Sequence, residues 1–299
     1  MKARDVGMLF ALASIWGASF LFIRMAVHDY GAPLLVLVRV LLGGLILLGV
    51  ARLTRQPTQL RAHWGKFLLL GAVNSALPFT MIASAEIHLT ASFAAILNAT
   101  TPFFAALMSW LVLKDALTPR KIVGLLVGLV GVAMVVGWSP LELTPEVLLA
   151  IGMMFVGSCA YGVGTVYSKK SFAGVSPFTM AIGQQLGSSV LMLPLALATL
   201  PTEVPSTSAT LAVLALAVLC TAVAYVLFFT LVSRVGPTNT STVTMLVPFF
   251  GILWGALFLG EAVEIGQLFG FALILVALTQ VTGFKLGWRK EPSPAIATK

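Results

Sequence analysis

Charge is what this sequence has least of. Only 9% of its 299 residues are Asp, Glu, Lys or Arg, against roughly 25% in a soluble domain. A surface so poor in charge excludes a chain bathed in water on all sides. Histidine is scarce as well. His28, His63 and His88 share no helix face, and no His-Glu-x-x-His run occurs, which removes the zinc-peptidase arrangement. Asp5, Asp29 and Asp115 fall in loops or at the ends of apolar runs, so a pair of intramembrane aspartates is missing. No serine has a histidine at its own depth. An intramembrane enzyme is therefore disfavoured, and no metal or cofactor is expected. The two cysteines, Cys159 and Cys220, lie inside apolar runs and read as small hydrophobes, not as a disulfide. A repeated filter or a ring of charge, the marks of a channel, is absent too.

What is present is apolar. Hydrophobic residues make up 59% of the chain, and mean hydropathy is +1.03. Runs long enough to cross a bilayer, about 20 residues each, recur along the whole length. The first, from Val6 to Ile23, is ended by Arg24 and lacks a small-residue cleavage site, so it reads as a span and not as a signal peptide. Ten spans are expected, at 6–27, 33–51, 66–86, 91–113, 120–138, 147–168, 177–198, 210–232, 239–259 and 266–285. Breakers and charges separate them, among them Gly31-Ala32-Pro33, Arg234-Val235-Gly236-Pro237 and Lys114 to Lys121. Residues 286–299 form a polar tail, expected to be cytoplasmic and disordered.

The net charge of +8 is spread through short loops, which argues against a nucleic-acid patch. It has a topological reading instead. With the N-terminus in the cytoplasm and ten alternating spans, 16 of the 18 basic residues fall inside, the exceptions being Arg24 and Arg39. Both termini are then cytoplasmic. Shifting the count by one scrambles the pattern.

The chain also repeats itself. Pro102-Phe103-Phe104 returns as Pro248-Phe249-Phe250, 146 residues on, and at that offset Asp115 meets Glu261, Ser75 meets Thr221 and Phe79 meets Tyr225. Trp16-Gly17 matches Tyr161-Gly162 at 145. Five spans per unit is an odd number, so the second copy enters the membrane from the opposite side. The expected organisation is one five-helix unit over 1–138 and an inverted one over 147–285, an arrangement suited to alternating access.

These residues resemble a known family. Ile15-Trp16-Gly17-Ala18-Ser19-Phe20 with Arg24, Pro33 and Arg39, the run Ala91 to Pro102, and Gly236-Pro237-Thr238-Asn239 through Pro248 to Glu261 are similar to the drug/metabolite transporter superfamily, in its ten-helix EamA-type branch. The resemblance implies a basket in which spans 1, 3, 4, 6, 8 and 9 line a cavity and 2, 5, 7 and 10 lie outside. It implies a multi-pass protein of the bacterial inner membrane that moves small metabolites. Since the family includes an aromatic amino-acid exporter, amino-acid export is the expected activity. Movement of other organic solutes or drugs, and a channel or membrane scaffold, stand as alternatives. The partners expected are a small-molecule substrate and the lipid bilayer, with a homodimer left open.

Polar residues within a bilayer mark a pathway or glue helices together. Asn74 and Ser75 precede Pro78, while Asn98, Thr100 and Thr101 stand beside Pro102, where proline frees backbone carbonyls. Asn74, Ser75, Asn98 and Thr101 are candidate substrate contacts, with Ser19 in span 1 and Thr244 before Pro248. Trp16, Phe79, Tyr161 and Tyr225 occupy repeat-equivalent positions and offer aromatic faces to a cavity. Glu86 and His88, at the outer end of span 3, are candidates for proton coupling. Arg39 is expected to snorkel to the headgroups or to pair with Asp29 or Glu86. Gln184 and Gln185 are expected to meet a partner helix. Gly124, Gly128 and Gly131 form a small-residue face for packing or dimer contact.

Overall fold

A computed structural model of the protein describes residues 2–138 and 141–282. The expected tail, 286–299, lies outside them. Among the described residues the chain is helical throughout, with no strand. Seven helical stretches are long and apolar enough to cross a membrane, and two shorter apolar helices, Val243–Leu259 and Ile265–Val281, follow them. Leu126, Leu129, Leu149, Leu197, Leu257, Phe258 and Phe269 are all exposed, a belt that hydrocarbon tolerates and water does not.

The α-helices, in chain order, are α1 (Ala3–Leu53), α2 (Trp64–Gly71), α3 (Leu77–Ala85), α4 (Ala91–Asn98), α5 (Thr101–Leu113), α6 (Pro119–Gly137), α7 (Pro145–Ser171), α8 (Pro177–Ala198), α9 (Thr207–Ala217), α10 (Ala224–Thr240), α11 (Val243–Leu259) and α12 (Ile265–Thr282). Their starts follow local chemistry. Thr118, Thr144 and Ser176 each precede a proline and each accept a hydrogen bond from a backbone N–H three residues on, so hydroxyl cap and N1 proline act together.

Two expected breaks, at Gly31 and Gly236, are turns within hydrogen-bonded helical runs. α1 is one continuous run only by hydrogen bonding, because Gly31 at φ 65°, ψ 154° turns the chain before Pro33. That conformation is strained for any residue with a Cβ. Gly236 does the same within α10. The stretch expected as span 4 divides at Ala99-Thr100, ahead of Pro102, into α4 and α5. Pro248, by contrast, lies inside α11 without breaking it.

Helices meet at small residues. α6 packs along α12, where added side chains at Gly124, Gly131 and Gly270 would run into the opposing helix. The face carrying Gly124, Gly128 and Gly131 is thus filled within the chain, by α12 and by Phe103. α2 crosses α8 through Gly71, Gly183 and Gly187, and α1 meets α11 at Gly17 and Gly251.

Candidate functional site

Two short π-helical stretches shape the centre of the molecule. Ala72–Ala76 joins α2 to α3, and Val218–Val223 joins α9 to α10. They stand 146 residues apart. A π turn widens the helix and redirects its side chains, and such turns recur at functional sites. From the first, Asn74 Nδ2 donates to Gln184 Oε1 at 2.7 Å, and Ser75 Oγ donates to Gln185 Oε1 at 2.7 Å. Gln184 Nε2 passes the chain on to the Tyr225 hydroxyl at 2.6 Å. From the second, Thr221 Oγ1 accepts from Arg39 Nε at 3.3 Å. Gln184 and Gln185 do meet a partner helix, and they bring α8 into the polar centre. The basket scheme had left their span, and the span of Arg39, on the outside.

Arg39 is the main correction to the sequence reading. It neither snorkels nor pairs with Asp29 or Glu86. It is 5% exposed, and its guanidinium carbon lies 4.0 Å from the centroid of the Phe79 ring. Asp29 turns elsewhere, accepting from the Ser206 backbone N–H at 2.9 Å. The reason is the second π stretch, which presents Thr221 to a residue 182 positions away.

The four repeat-equivalent aromatics are brought together in two pairs. Trp16 and Tyr225 meet edge-on with centroids 6.4 Å apart, and Phe79 and Tyr161 do so at 6.4 Å. Phe228 adds a third ring against Trp16 at 5.6 Å. Ser19 is buried nearby in α1 and its hydroxyl has no hydrogen-bond partner.

At the α4–α5 break, Thr101 Oγ1 donates to Ser158 Oγ at 3.3 Å and Thr100 Oγ1 to the Leu97 carbonyl at 2.6 Å. The Asn98 side-chain oxygen is buried without a partner, so this corner holds an acceptor that the protein itself leaves unused. Ser158 of α7 is a member that sequence reasoning missed, since an isolated serine in an apolar run carries no signal. Thr244 is not part of the cluster. It is exposed, and its hydroxyl bonds back to the Ser241 carbonyl.

A carboxylate ties the turn after α11 to the start of α4. Glu261, in the left-handed turn after α11, accepts from the backbone N–H groups of Ala91 and Ser92 at 2.8 Å each and from Ser92 Oγ at 2.6 Å. It therefore caps the N-terminus of α4, where a negative charge is favoured. Glu86, in the turn after α3, is fully buried with neither oxygen hydrogen-bonded, whereas its expected companion His88 is exposed. Arg24 closes over this turn, donating to the backbone carbonyls of Glu86 and of Ile87, the latter at 3.1 Å.

The equivalent acid behaves differently. Lys114 and Gly260 both adopt the left-handed conformation, and the following residues, Asp115 and Glu261, make matching backbone bonds to the carbonyls of Ser109 and Gly255. Yet the Asp115 carboxylate meets only Lys169, at 3.9 Å, in an exposed pair. A cleft of about 570 Å³ between the Gly31 break and the loop 199–206 lies apart from all of this and is lined by none of the predicted site residues.

The chain is similar to known transporters. The sequence model of the EamA-like transporter family matches residues 5–137 and again 148–283. The chain is 27% identical over 285 residues to YvbV of Bacillus subtilis, known as an uncharacterized transporter, covering 94% of this chain and 92% of the relative. It is 27% identical to protein PecM of Dickeya dadantii, covering 97% and 96%. A third relative, at 26% identity with 94% and 93% covered, is the S-adenosylmethionine/S-adenosylhomocysteine transporter of Chlamydia muridarum. A solved crystal structure superposes with a TM-score of 0.63 at 18% identity, covering 94% of this chain and 97% of that one, a likeness in fold alone.

Proposed function

This chain belongs to the EamA-like transporter family, and from that premise we propose that it is a secondary transporter that exports amino acids across the bacterial inner membrane by alternating access. In this reading ten spans form two inverted five-helix units with both termini cytoplasmic. The turn at Gly31 within α1, together with the two shorter apolar helices, supports that count. The observation that carries the mechanism is the unequal use of Glu261 and Asp115. Two acids on matching turns have different partners: one caps α4, the other is released to an exposed lysine. Inverted units that exchange these roles open one side as they close the other. The polar corner around Asn98 and Thr101, the hydroxyl of Ser19, and the aromatic pairs supply the contacts for a small molecule with polar and apolar parts. The Chlamydia relative, named for S-adenosylmethionine and S-adenosylhomocysteine, supports the amino-acid class, since both compounds end in an amino-acid headgroup.

Purified protein in liposomes preloaded with an unlabelled amino acid tests this. Labelled substrate is expected to enter faster against the preload, as alternating access requires. Uptake indifferent to the preload points to a channel, and uptake of no amino acid removes the export reading.

Glu86 supplies the proton-coupling element. Its carboxyl is fully buried and neither oxygen is hydrogen-bonded, an environment that favours the uncharged form. A group whose pKa is raised in one form stabilises that form at low pH and loses the effect as pH rises through the raised value. The closed form therefore takes up a proton and the open form, with Glu86 hydrated, releases it. The thermal midpoint of the protein in detergent is expected to fall between about pH 5 and 8, and Glu86→Gln to flatten that slope. Equal slopes in both proteins would sink the assignment.

A further inference from the structure

We infer that Arg39 is an anion-binding residue, and that the molecule transported carries a carboxylate which the Arg39 guanidinium takes up. This rests on the transport reading above and narrows its substrate class.

The first observation is an accounting of donors. A guanidinium has five N–H groups in a rigid fork. In Arg39, Nε donates to Thr221, the flat face is covered by Phe79, and among the described residues the two terminal nitrogens, with four N–H groups, have no hydrogen-bond partner. No carboxylate pairs with it among the described residues. Glu86 is buried as well, but neither of its carboxylate oxygens takes a hydrogen bond from Arg39. A buried cation without a counter-charge is costly, so a fold that keeps one has a use for it.

The second observation is the symmetry of the contact. Arg39 to Thr221 is matched by Gln185 to Ser75, and both members are shifted by the same 146 residues. In each copy a side chain on the helix after the first turn reaches a hydroxyl on the facing π stretch. Where one copy uses a neutral amide, the other uses a charge. The glutamine shows that packing and the hydroxyl contact can be met without charge, so the charge answers to something other than the fold. The cation also sits on one side only, which orients a ligand. The guanidinium lies over Phe79, and Phe79 meets Tyr161 edge-on, so a carboxylate on Arg39 places the rest of the molecule beside these rings. A planar two-oxygen anion matches the fork of terminal N–H groups.

The test uses the full chain in detergent, with three probes that share a ring and differ in charge: phenylacetate, L-phenylalanine and phenethylamine. Phenylacetate and phenylalanine are expected to raise the thermal midpoint of the wild type, and phenethylamine is not. Arg39→Gln is expected to weaken carboxylate binding by roughly 10- to 100-fold, and Arg39→Lys by less, because it keeps the charge and loses the fork. If Arg39→Gln fails to fold, Arg39→Lys carries the comparison. Protection by the amine equal to that by the acids, protection by none of the three, or undiminished carboxylate binding in Arg39→Gln overturns the inference. Labelled phenylalanine counterflow separates the two readings. Carboxylate protection without counterflow leaves the anion site standing and removes transport. Counterflow unchanged in Arg39→Gln does the reverse.

Discussion

Glu261→Ala is expected to abolish counterflow while the protein still folds. The substitution removes one carboxylate and with it three hydrogen bonds to the first turn of α4. Bonds to a charged acceptor contribute about 1.5 to 3 kcal/mol each. They share one side chain and are not additive, so a joint loss of about 3 to 4 kcal/mol is reasonable. That loss falls on one conformer. If the closed form is stabilised by this amount, its population relative to the open form drops by on the order of 100- to 1,000-fold. A cysteine at Thr90, at the cap of α4, reads the change: a membrane-impermeant maleimide is expected to label it far faster in Glu261→Ala than with Glu261 in place.

Asp115→Ala provides the contrast. Its ion pair with Lys169 is long and exposed, and such pairs contribute about 0 to 1 kcal/mol. Labelling at Thr90→Cys is expected to stay slow in this variant, although counterflow also fails if the two acids exchange roles in the cycle. Equal labelling in the Glu261 and Asp115 variants would show that the cap does not hold the end closed. Gly255 gives a second handle, because a Cβ there would run into the Glu261 carboxylate and the Ser92 hydroxyl. Gly255→Ala should therefore resemble Glu261→Ala.

The second large effect is expected at Gly71. A Cβ on this residue would lie 2.5 Å from the Ser188 backbone nitrogen and 2.7 Å from the Gln184 carbonyl oxygen. Both obstacles are backbone, so no side chain can swing aside. Gly71→Ala is expected to destabilise the protein by about 1 to 3 kcal/mol, and Gly71→Leu to prevent folding. The cost exceeds local packing. α8 carries Gln184 and Gln185, so forcing it from α2 also parts them from Asn74 and Ser75. Gly49→Ala is the control, with nothing within 4 Å of the added methyl. There a gain of about 0.5 to 1 kcal/mol is expected, from helix propensity. Thermal unfolding in detergent compares them. A Gly71→Ala protein as stable as the wild type would refute the tight crossing of α2 and α8.

Most of what the sequence alone determined is local in origin. Hydropathy made this a membrane protein because burying charge in hydrocarbon costs free energy wherever it happens. Gly31 and Gly236 marked their breaks because φ/ψ limits act on a residue and its immediate neighbours, while the division ahead of Pro102 fell inside a stretch expected as one span. The offset of 145 to 146 residues was legible from identity alone, and the aromatics it relates, Trp16, Phe79, Tyr161 and Tyr225, lie in two edge-on pairs.

The tertiary structure decided which equivalent groups differ. Asp115 and Glu261 read as a matched pair, and only the helix packing reveals that one caps α4 and the other does not. The position of Arg39 in its span pointed to the headgroups. The π stretch that offers it Thr221 is a backbone irregularity with no residue signature, and the contact joins positions 182 apart. The same holds for the glycine face of α6, whose partner turned out to be α12. Composition fixes how a segment relates to its solvent. The choice of partner depends on helices that meet only once the whole bundle has assembled.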